Sequence, residues 1–358
     1  MCKLNISSKF RIIESWLLFV KNFAHSPRSA ADVFCAKFLM MLEKELEIAV
    51  DLAREAGRII LDFYEKGVAV ETKIFGDNFS EPVTIADRTA SRIIVEALAA
   101  SFPDEGVLSE EEFDDKKRLE KKRVWIVDPL DGTQGFVDRN GDFAVQIGLA
   151  ENGESVLGVV FLPIENVLYY ARKGGGAWLV ESGKTPERMW VSGKVDFAEM
   201  NLATSRNHRS AGMSRVFESF GLKSETQRGS VGLKIGLITR QICDLYIHLS
   251  PRTKHWDTCA PEIILTEAGG ELTDLFGAKI VYNTPDVHNY NGVLASNGAA
   301  THEQAVESLH PLLNEFGRLR LKSVAAQRAK KIIEAGINSR EQTGKMKNKA
   351  GKNKSQKK

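Results

Sequence analysis

Val124-Trp125-Ile126-Val127-Asp128-Pro129-Leu130-Asp131-Gly132-Thr133-Gln134-Gly135-Phe136 is the stretch on which the reading of this chain turns. Val124 to Val127 is a short apolar run with the length and flanks of a strand, and it leads straight into two carboxylates three residues apart. Pro129 has no N–H to give a sheet ladder, which predicts that the strand stops there. Asp128 and Asp131 then project from one turn with the Leu130 carbonyl between them. Gly132 and Thr133 let the chain turn sharply and offer backbone N–H groups. Oxygen donors facing such N–H groups suit a hard cation and a phosphate. A turn in which both Asp side chains only bond the backbone is the plainer alternative for an isolated D-x-x-D pair. The whole D-P-L-D-G-T string after a strand is far more specific.

Outward from this stretch, the 358 residues are 43% hydrophobic, enough for a packed core in one large domain or two. No run is long enough to cross a bilayer. Cys2, Cys35, Cys243 and Cys259 form no C-x-x-C pair, so neither a zinc site nor a disulfide framework is suggested, and reduced thiols in a cytoplasmic protein are expected. The net charge of +2 conceals a strong asymmetry. Residues 318–358 carry 14 Lys/Arg against 2 Glu, a balance of +12, and residues 1–40 a balance of +4, leaving −14 on 41–317.

Three parts are therefore expected. Residues 1–40, with the apolar patch Trp16-Leu17-Leu18-Phe19-Val20, stand apart from the rest of the chain; translation from Met40 or Met41 is the preferred reading and a transit peptide the alternative. Residues 41–317 form the acidic body of the chain. The lysine-rich tail, 318–358, cannot build a core and is expected to be disordered. Its charge could touch nucleic acid, but no aromatic residue in 344–358 could stack on bases, so a solvated tail is preferred.

Within the body, Leu42 to Tyr64 repeats apolar residues with a helical period and Gly67 ends it. Val68 to Ile74 is a candidate strand, followed by a polar loop, Phe75 to Glu81. Thr84 to Ala100 is a second helix, in which Asp87 is either half of a capping box, a carboxylate aimed at the site, or both. Glu110 follows the short strand Gly106 to Ser109 directly, at a strand end where α/β sites gather ligands, whereas Glu112, Asp114 and Asp115 read as solvated surface. Phe143 to Ala150, Val156 to Leu162 and Val167 to Ala171 are consecutive strands, the first two joined by a Glu151-Asn152-Gly153 turn. Further on come a strand at Leu202–Ser205, helices at His208–Phe220 and Ser230–Arg240, and a strand at Ile242–His248. Trp256-Asp257-Thr258 opens a helix with Asp257 as a ready N-cap, and Gly292–Ser296 and Thr301–Glu315 close the body as strand and helix. The fold class is α/β (α+β layered), with strands largely sequential.

Glu110, Asp128, Asp131 and Asp257, with Thr133 and Asp87, supply oxygen donors without His or Cys, a set that selects Mg²⁺ over Zn²⁺. With S-E-E at 109–111, W-I-V-D-P-L-D-G-T at 125–133, H-W-D-T-C-A-P-E at 255–262 and E-A-G-G at 267–270, the chain resembles the magnesium-dependent, lithium-sensitive phosphatases of the inositol monophosphatase superfamily over roughly 41–300. Asp138-Arg139-Asn140-Gly141-Asp142-Phe143, Ser205-Arg206-Asn207-His208 and Gly229-Ser230-Val231-Gly232-Leu233-Lys234 resemble its 3′(2′),5′-bisphosphate nucleotidase branch more than its inositol branch.

That resemblance implies alternating α-β-α-β-α layers, with the metal site between two α/β halves. It implies two or three Mg²⁺ ions, one held by Glu110, Asp128 and the Leu130 carbonyl and another by Asp128, Asp131 and Asp257. Gly132 and Thr133 would bind the phosphate, Thr133 backed by Asp87 would orient the attacking water, and Arg139, His208, Lys234 and Arg252 would contact substrate. The implied reaction is removal of the 3′-phosphate of adenosine 3′,5′-bisphosphate, and of the sulfated analogue in sulfur metabolism, without a covalent phosphoenzyme. Homodimers are common in the superfamily, so a homodimer is allowed. The alternatives are an inositol or sugar monophosphatase on the same metals, and a non-catalytic nucleic-acid-binding protein that uses the basic tail. For His208 the bland reading is a surface helix-start residue, and for Lys234 an exposed helix cation.

Overall fold

The computed structural model describes residues 42–74, 80–206 and 211–321. The expectations for residues 1–40, most of the 75–81 loop, His208 and the tail beyond 321 lie outside them.

The elements run α1 (Glu43–Lys66), β1 (Val70–Ile74), β2 (Ser80–Thr84), α2 (Ile85–Ser101), β3 (Gly106–Ser109), β4 (Arg123–Asp131) and α3 (Thr133–Val137). Then come β5 (Ala144–Glu151), β6 (Glu154–Leu162), β7 (Val167–Arg172), β8 (Gly176–Glu181), β9 (Glu187–Arg188) and β10 (Asn201–Ser205). The order closes with α4 (Ala211–Phe220), β11 (Ser224–Arg228), α5 (Val231–Thr239), β12 (Leu245–His248), α6 (His255–Glu267), β13 (Glu271–Thr273), β14 (Val293–Ser296) and α7 (Ala299–Glu315). The chain divides into two compact units, 1–312 and 313–358; the described part of the second is the end of α7 and the residues up to 321.

β3 to β9 form a seven-stranded sheet in chain order, parallel between β3 and β4 and antiparallel thereafter. The turn between β5 and β6 places Asn152 and Gly153 at φ 51° and 85°, the left-handed pair that a two-residue hairpin requires. A five-stranded sheet has the order β11-β10-β12-β14-β13, with β10 parallel to β11 and β12, and β14 antiparallel to its two neighbours.

Alternation along the strands builds the layers. One face of the seven-stranded sheet, through Trp125, Val127, Ile147 and Val159, packs on α1 and α2 through Ala56, Ile60 and Ile94. The other face, through Ala144, Val160 and Leu162, meets α5 and α6 through Leu233, Ala260 and Ile263. The far side of those helices, Ile235, Ile238 and Leu265, covers the five-stranded sheet through Ala203, Tyr246 and Ala295. Beyond that sheet, His302 of α7 is tied to Thr273 at 2.7 Å and Ser296 at 2.9 Å. Helix α6 approaches β6 so closely that a Cβ on Gly158 would stand 2.3 Å from the Ala260 carbonyl oxygen. That contact holds the first turns of α6, and with them Asp257, against the sheet.

Three local readings need correcting. β8, β9, β11 and β13 are additional strands, and β2 begins inside the expected loop and pairs antiparallel with β1. Asp114 is not simply solvated: it takes bonds from Arg118 Nε at 3.1 Å and Nη2 at 2.8 Å, and Arg118 is buried. Lys234 is no exposed helix cation, being 1% exposed.

Candidate active site

β4 does not stop at Pro129. It runs on to Asp131 through a shift of register: Asp128 pairs with Gln146 and Asp131 with Ala144, so three steps on β4 match two on β5. Side chains three apart on a regular strand point to opposite faces, and the extra residue of a bulge returns both carboxylates to one face. A bulge is also where a sheet tolerates proline. The missing N–H of Pro129 therefore marks the bulge instead of the strand's end.

Asp257 arrives from α6. It is the third helical residue and not the N-cap, which is Lys254; the Lys254 N–H donates to Asp257 Oδ2 at 2.5 Å. One carboxylate oxygen each from Asp128, Asp131 and Asp257 lies within 4.8 Å of the others. Their hydrogen-bond partners are largely neutral. Asp131 Oδ2 accepts from Gln146 Nε2 at 2.7 Å, from the Ser230 hydroxyl and from the Gly232 N–H at 3.1 Å. Asp128 Oδ1 accepts from the Leu130 N–H at 3.0 Å.

Burial raises the pKa of all three, that of Asp128 and Asp257 well above the carboxylate range, and the neighbouring acids add to the effect on those two. Glu110, at the end of β3, is raised to about 7, by burial first, against the opposing charges of Lys73 and Lys254. Burial outweighs the charges of Lys73, Lys234 and Lys254 beside these carboxylates, and oxygen-only donors are what a hard divalent cation takes. The residues present therefore fit such an ion.

Beside them stands a second arrangement. The Thr133 hydroxyl donates to Asp87 Oδ1 at 2.9 Å and lies 3.2 Å from the Leu130 carbonyl oxygen. Asp87, 1% exposed, uses Oδ2 to accept from the Thr84 N–H at 2.7 Å and hydroxyl at 2.6 Å, completing a capping box. Burial raises its pKa, with the bonds from Thr84 and Thr133 opposing. Gly132, at φ 96°, turns the chain into α3, and a Cβ there would sit 2.4 Å from the Asp142 carbonyl oxygen. The N–H groups of Gly132 and Thr133 fall at the open first turn, where no intrahelical acceptor reaches them.

The proposed substrate contacts are more dispersed. Lys234 donates to the Gly229 carbonyl at 2.6 Å and lies 5.1 Å from the Tyr246 ring centroid; burial lowers its pKa to about 8 against the charges of Asp131, Asp142 and Asp257. Arg139 turns to the end of α1, donating to the Tyr64 carbonyl at 2.6 Å over the Tyr64 ring. Arg252 is exposed in the turn before α6.

Residues to which sequence reasoning gave no role support this centre. Buried Asp142 accepts from Arg206 Nε at 2.7 Å, Arg228 Nη1 at 2.9 Å and the Gly229 N–H at 3.0 Å, tying three segments together. Gln146 carried a readable signal, a lone polar residue in the apolar run F-A-V-Q-I-G-L-A. Lys73 contacts Glu111 and lies 3.7 Å from Glu110.

Known proteins bear on this geometry. The model of the inositol monophosphatase family matches residues 41–313. The 3′(2′),5′-bisphosphate nucleotidase CysQ of Salmonella typhimurium is 36% identical over 238 residues, 66% of this chain and 93% of that protein. Among solved structures, CysQ from Bacteroides thetaiotaomicron aligns with TM-score 0.61 at 30% identity over 73% of this chain and all of that one (100%). The IMPase of Thermotoga maritima aligns with TM-score 0.63 at 29% identity, covering 76% and 99%. A layered α/β fold with an acidic centre of this kind defines the protein's class as a phosphatase. More particularly, the chain belongs to the inositol monophosphatase family. Membership implies a divalent metal. No helix among the described residues is long and apolar enough to cross a membrane.

Proposed function

We propose that the protein is a Mg²⁺-dependent bisphosphate nucleotidase that removes the 3′-phosphate of adenosine 3′,5′-bisphosphate, leaving AMP and phosphate, and acts on the 3′-phosphoadenylyl sulfate analogue as well. The observation that carries the reading is the approach of Asp128, Asp131 and Asp257 to within 4.8 Å, beside a Thr133–Asp87 pair 2.9 Å apart. The choice of substrate draws on the similarity to proteins named for that activity.

Glu110, Asp128, the Leu130 carbonyl, Asp131 and Asp257 would hold the Mg²⁺. When bound, the cation polarises the phosphoryl group and stabilises charge on the leaving oxygen. The chain's own residues do the rest. The Thr133 hydroxyl spends its proton on Asp87, which leaves its lone pairs to accept from a water. A hydroxyl is a poor base alone, so the proton passes through it to Asp87, whose burial makes it readier to take one. The N–H groups of Gly132 and Thr133 bind phosphoryl oxygens, already oriented by the turn. Cys243 and Cys259 are buried free thiols, and this reading gives neither a role as nucleophile.

Phosphate release from adenosine 3′,5′-bisphosphate, inositol 1-phosphate, fructose 1,6-bisphosphate and AMP, with and without Mg²⁺, tests the reading. Preference for the first, lost with Mg²⁺ removal and inhibited by millimolar-scale LiCl, is expected. Preference for inositol 1-phosphate keeps the metals and discards the nucleotide; silence on the whole panel discards the enzyme reading in favour of a binding protein.

A further inference from the structure

We propose that Arg206 and Arg228, both held by the one carboxylate of buried Asp142, bind the second phosphate of a nucleoside bisphosphate; this rests on the nucleotidase reading above, with the first phosphate at the Gly132–Thr133 turn. A second phosphate calls for cations with N–H groups to spare. Two of the cations that the sequence offers for it are spent elsewhere. Lys234 is 1% exposed and donates to the Arg228 carbonyl at 3.3 Å and the Gly229 carbonyl at 2.6 Å. Arg139 lies over the Tyr64 ring with Nη1 on the Tyr64 carbonyl.

Arg206 follows β10 directly and Arg228 ends β11; the two strands are parallel, with Ser205 opposite Arg228. The Arg206 N–H donates to the Arg228 carbonyl at 3.2 Å. Both side chains therefore leave the carboxyl ends of adjacent strands, the edge at which α/β sheets bind ligands. From Arg228 the chain passes through Gly229 to Ser230, whose hydroxyl donates to Asp131 Oδ2. Two residues span at most about 7 Å, so Arg228 is rooted beside the acidic centre.

Asp142 fixes the pair. Its carboxylate accepts from Arg206 Nε at 2.7 Å, Arg228 Nη1 at 2.9 Å and the Gly229 N–H at 3.0 Å. Its carbonyl oxygen packs on the phosphate turn, where a Cβ on Gly132 or Gly135 would stand 2.4 Å or 2.5 Å from it. One buried residue thus sets the spacing between the turn for the first phosphate and the cations for the second. The remaining bonds run from Arg206 Nη2 to the Gln227 carbonyl at 3.3 Å and from Arg228 Nη2 to Glu165 at 2.9 Å. Arg206 Nη1 and Arg228 Nε take no part in any of these, and the side chains are 41% and 30% exposed, within reach of a ligand. Asp142 and Glu165 offset part of the positive charge, so the pair confers a moderate preference.

Steady-state kinetics of the full chain with Mg²⁺, on adenosine 3′,5′-bisphosphate and on adenosine 3′-monophosphate, test this. Wild type should favour the bisphosphate in kcat/KM. Arg206→Gln leaves Asp142 its bonds from Arg228 and Gly229, and Arg228→Gln leaves it those from Arg206 and Gly229, so neither strands the buried carboxylate. Each should raise KM for the bisphosphate about tenfold, ~1.4 kcal/mol, with kcat held. The monophosphate should lose less than about twofold in kcat/KM. A preference unchanged in both variants overturns the proposal, as does an equal loss on both substrates, which is what a purely structural ion pair would give. A preference lost only in Arg252→Gln overturns it too, moving the second phosphate to the turn before α6. So does a wild type that hydrolyses both substrates equally well. A wild type inactive on both nucleotides overturns the nucleotidase reading itself, which is a different result.

Discussion

Thr133 Oγ donates to Asp87 Oδ1 at 2.9 Å, joining the turn after β4 to the first turn of α2 across 46 residues of chain. Because Asp87 Oδ2 is held by Thr84, the carboxylate cannot swing away without uncapping α2. One side chain therefore starts a helix and orients a hydroxyl, and the two roles differ in what they predict.

Thr133→Val deletes the hydroxyl and leaves the capping box intact. It is expected to lower kcat by roughly 10²–10⁴ with folding and Mg²⁺ affinity unchanged. Thr133→Ser should stay within about tenfold of wild type, ~1.4 kcal/mol of barrier. Steady-state kinetics beside a metal titration decide it: a fully active Thr133→Val would remove Thr133 and Asp87 from the proton path.

Asp131→Asn should separate stability from catalysis. Burial raises the Asp131 pKa, so its charge is costly in the metal-free protein. An asparagine oxygen can still accept from Gln146, Ser230 and the Gly232 N–H. The variant should have a higher Tm than wild type in EDTA, a smaller gain on adding Mg²⁺, and turnover lower by at least about a thousandfold, ~4 kcal/mol. Activity within about tenfold of wild type, ~1.4 kcal/mol, would refute the ligand assignment.

How much of this was legible beforehand depended on whether the signal was local. In α1, Ala49, Ala56 and Ile60 recur at helical spacing and all are fully buried. The meander β5–β6–β7 was readable because its strands are apolar and joined by short turns. β11, Ser224-Glu225-Thr226-Gln227-Arg228, was not: it is polar throughout and earns its place by pairing in parallel with β10. The carboxylates were legible as types in a motif. Their convergence was implied by the family resemblance, but the device behind it was not, because the bulge at Pro129 appears only when β4 is set against β5. Lys254 was hidden for a similar reason, since Glu81 and Glu110 lie far from it in sequence and reach it only through the fold.

Gly132 gives a prediction about backbone strain. Gly132→Ala must place a Cβ at φ 96° and 2.4 Å from a main-chain oxygen of Asp142, which cannot rotate aside. It should cost more than ~2 kcal/mol in urea unfolding and abolish activity. Gly183 has φ 73° but nothing within 4 Å of its Cβ position, so Gly183→Ala should cost only about 1 kcal/mol. Equal losses at the two positions would show that φ, and not the contact with Asp142, dominates.

Glu262 lies away from the proposed ligands and titrates on its own account. Burial pushes its carboxyl up to about 7, with the bond from the Tyr282 hydroxyl and the charge of Lys279 opposing. A carboxyl whose pKa is higher folded than unfolded, where the ordinary value is 4.5, binds its proton more tightly in the native state. Stability must then fall as pH rises from the unfolded value to about 7, and level off above it. The loss amounts to about 3.5 kcal/mol at most, at ~1.4 kcal/mol per pKa unit. The proposed ligands also titrate in the metal-free protein, so the measurement is a difference: urea unfolding of wild type and Glu262→Gln in EDTA, at about pH 5 and about pH 8, either side of the transition. The variant should gain on wild type as pH rises, because glutamine has no proton to lose. Parallel pH profiles for the two proteins would mean that Glu262 is solvated enough to ionise freely, and that the Tyr282 contact does not enclose it.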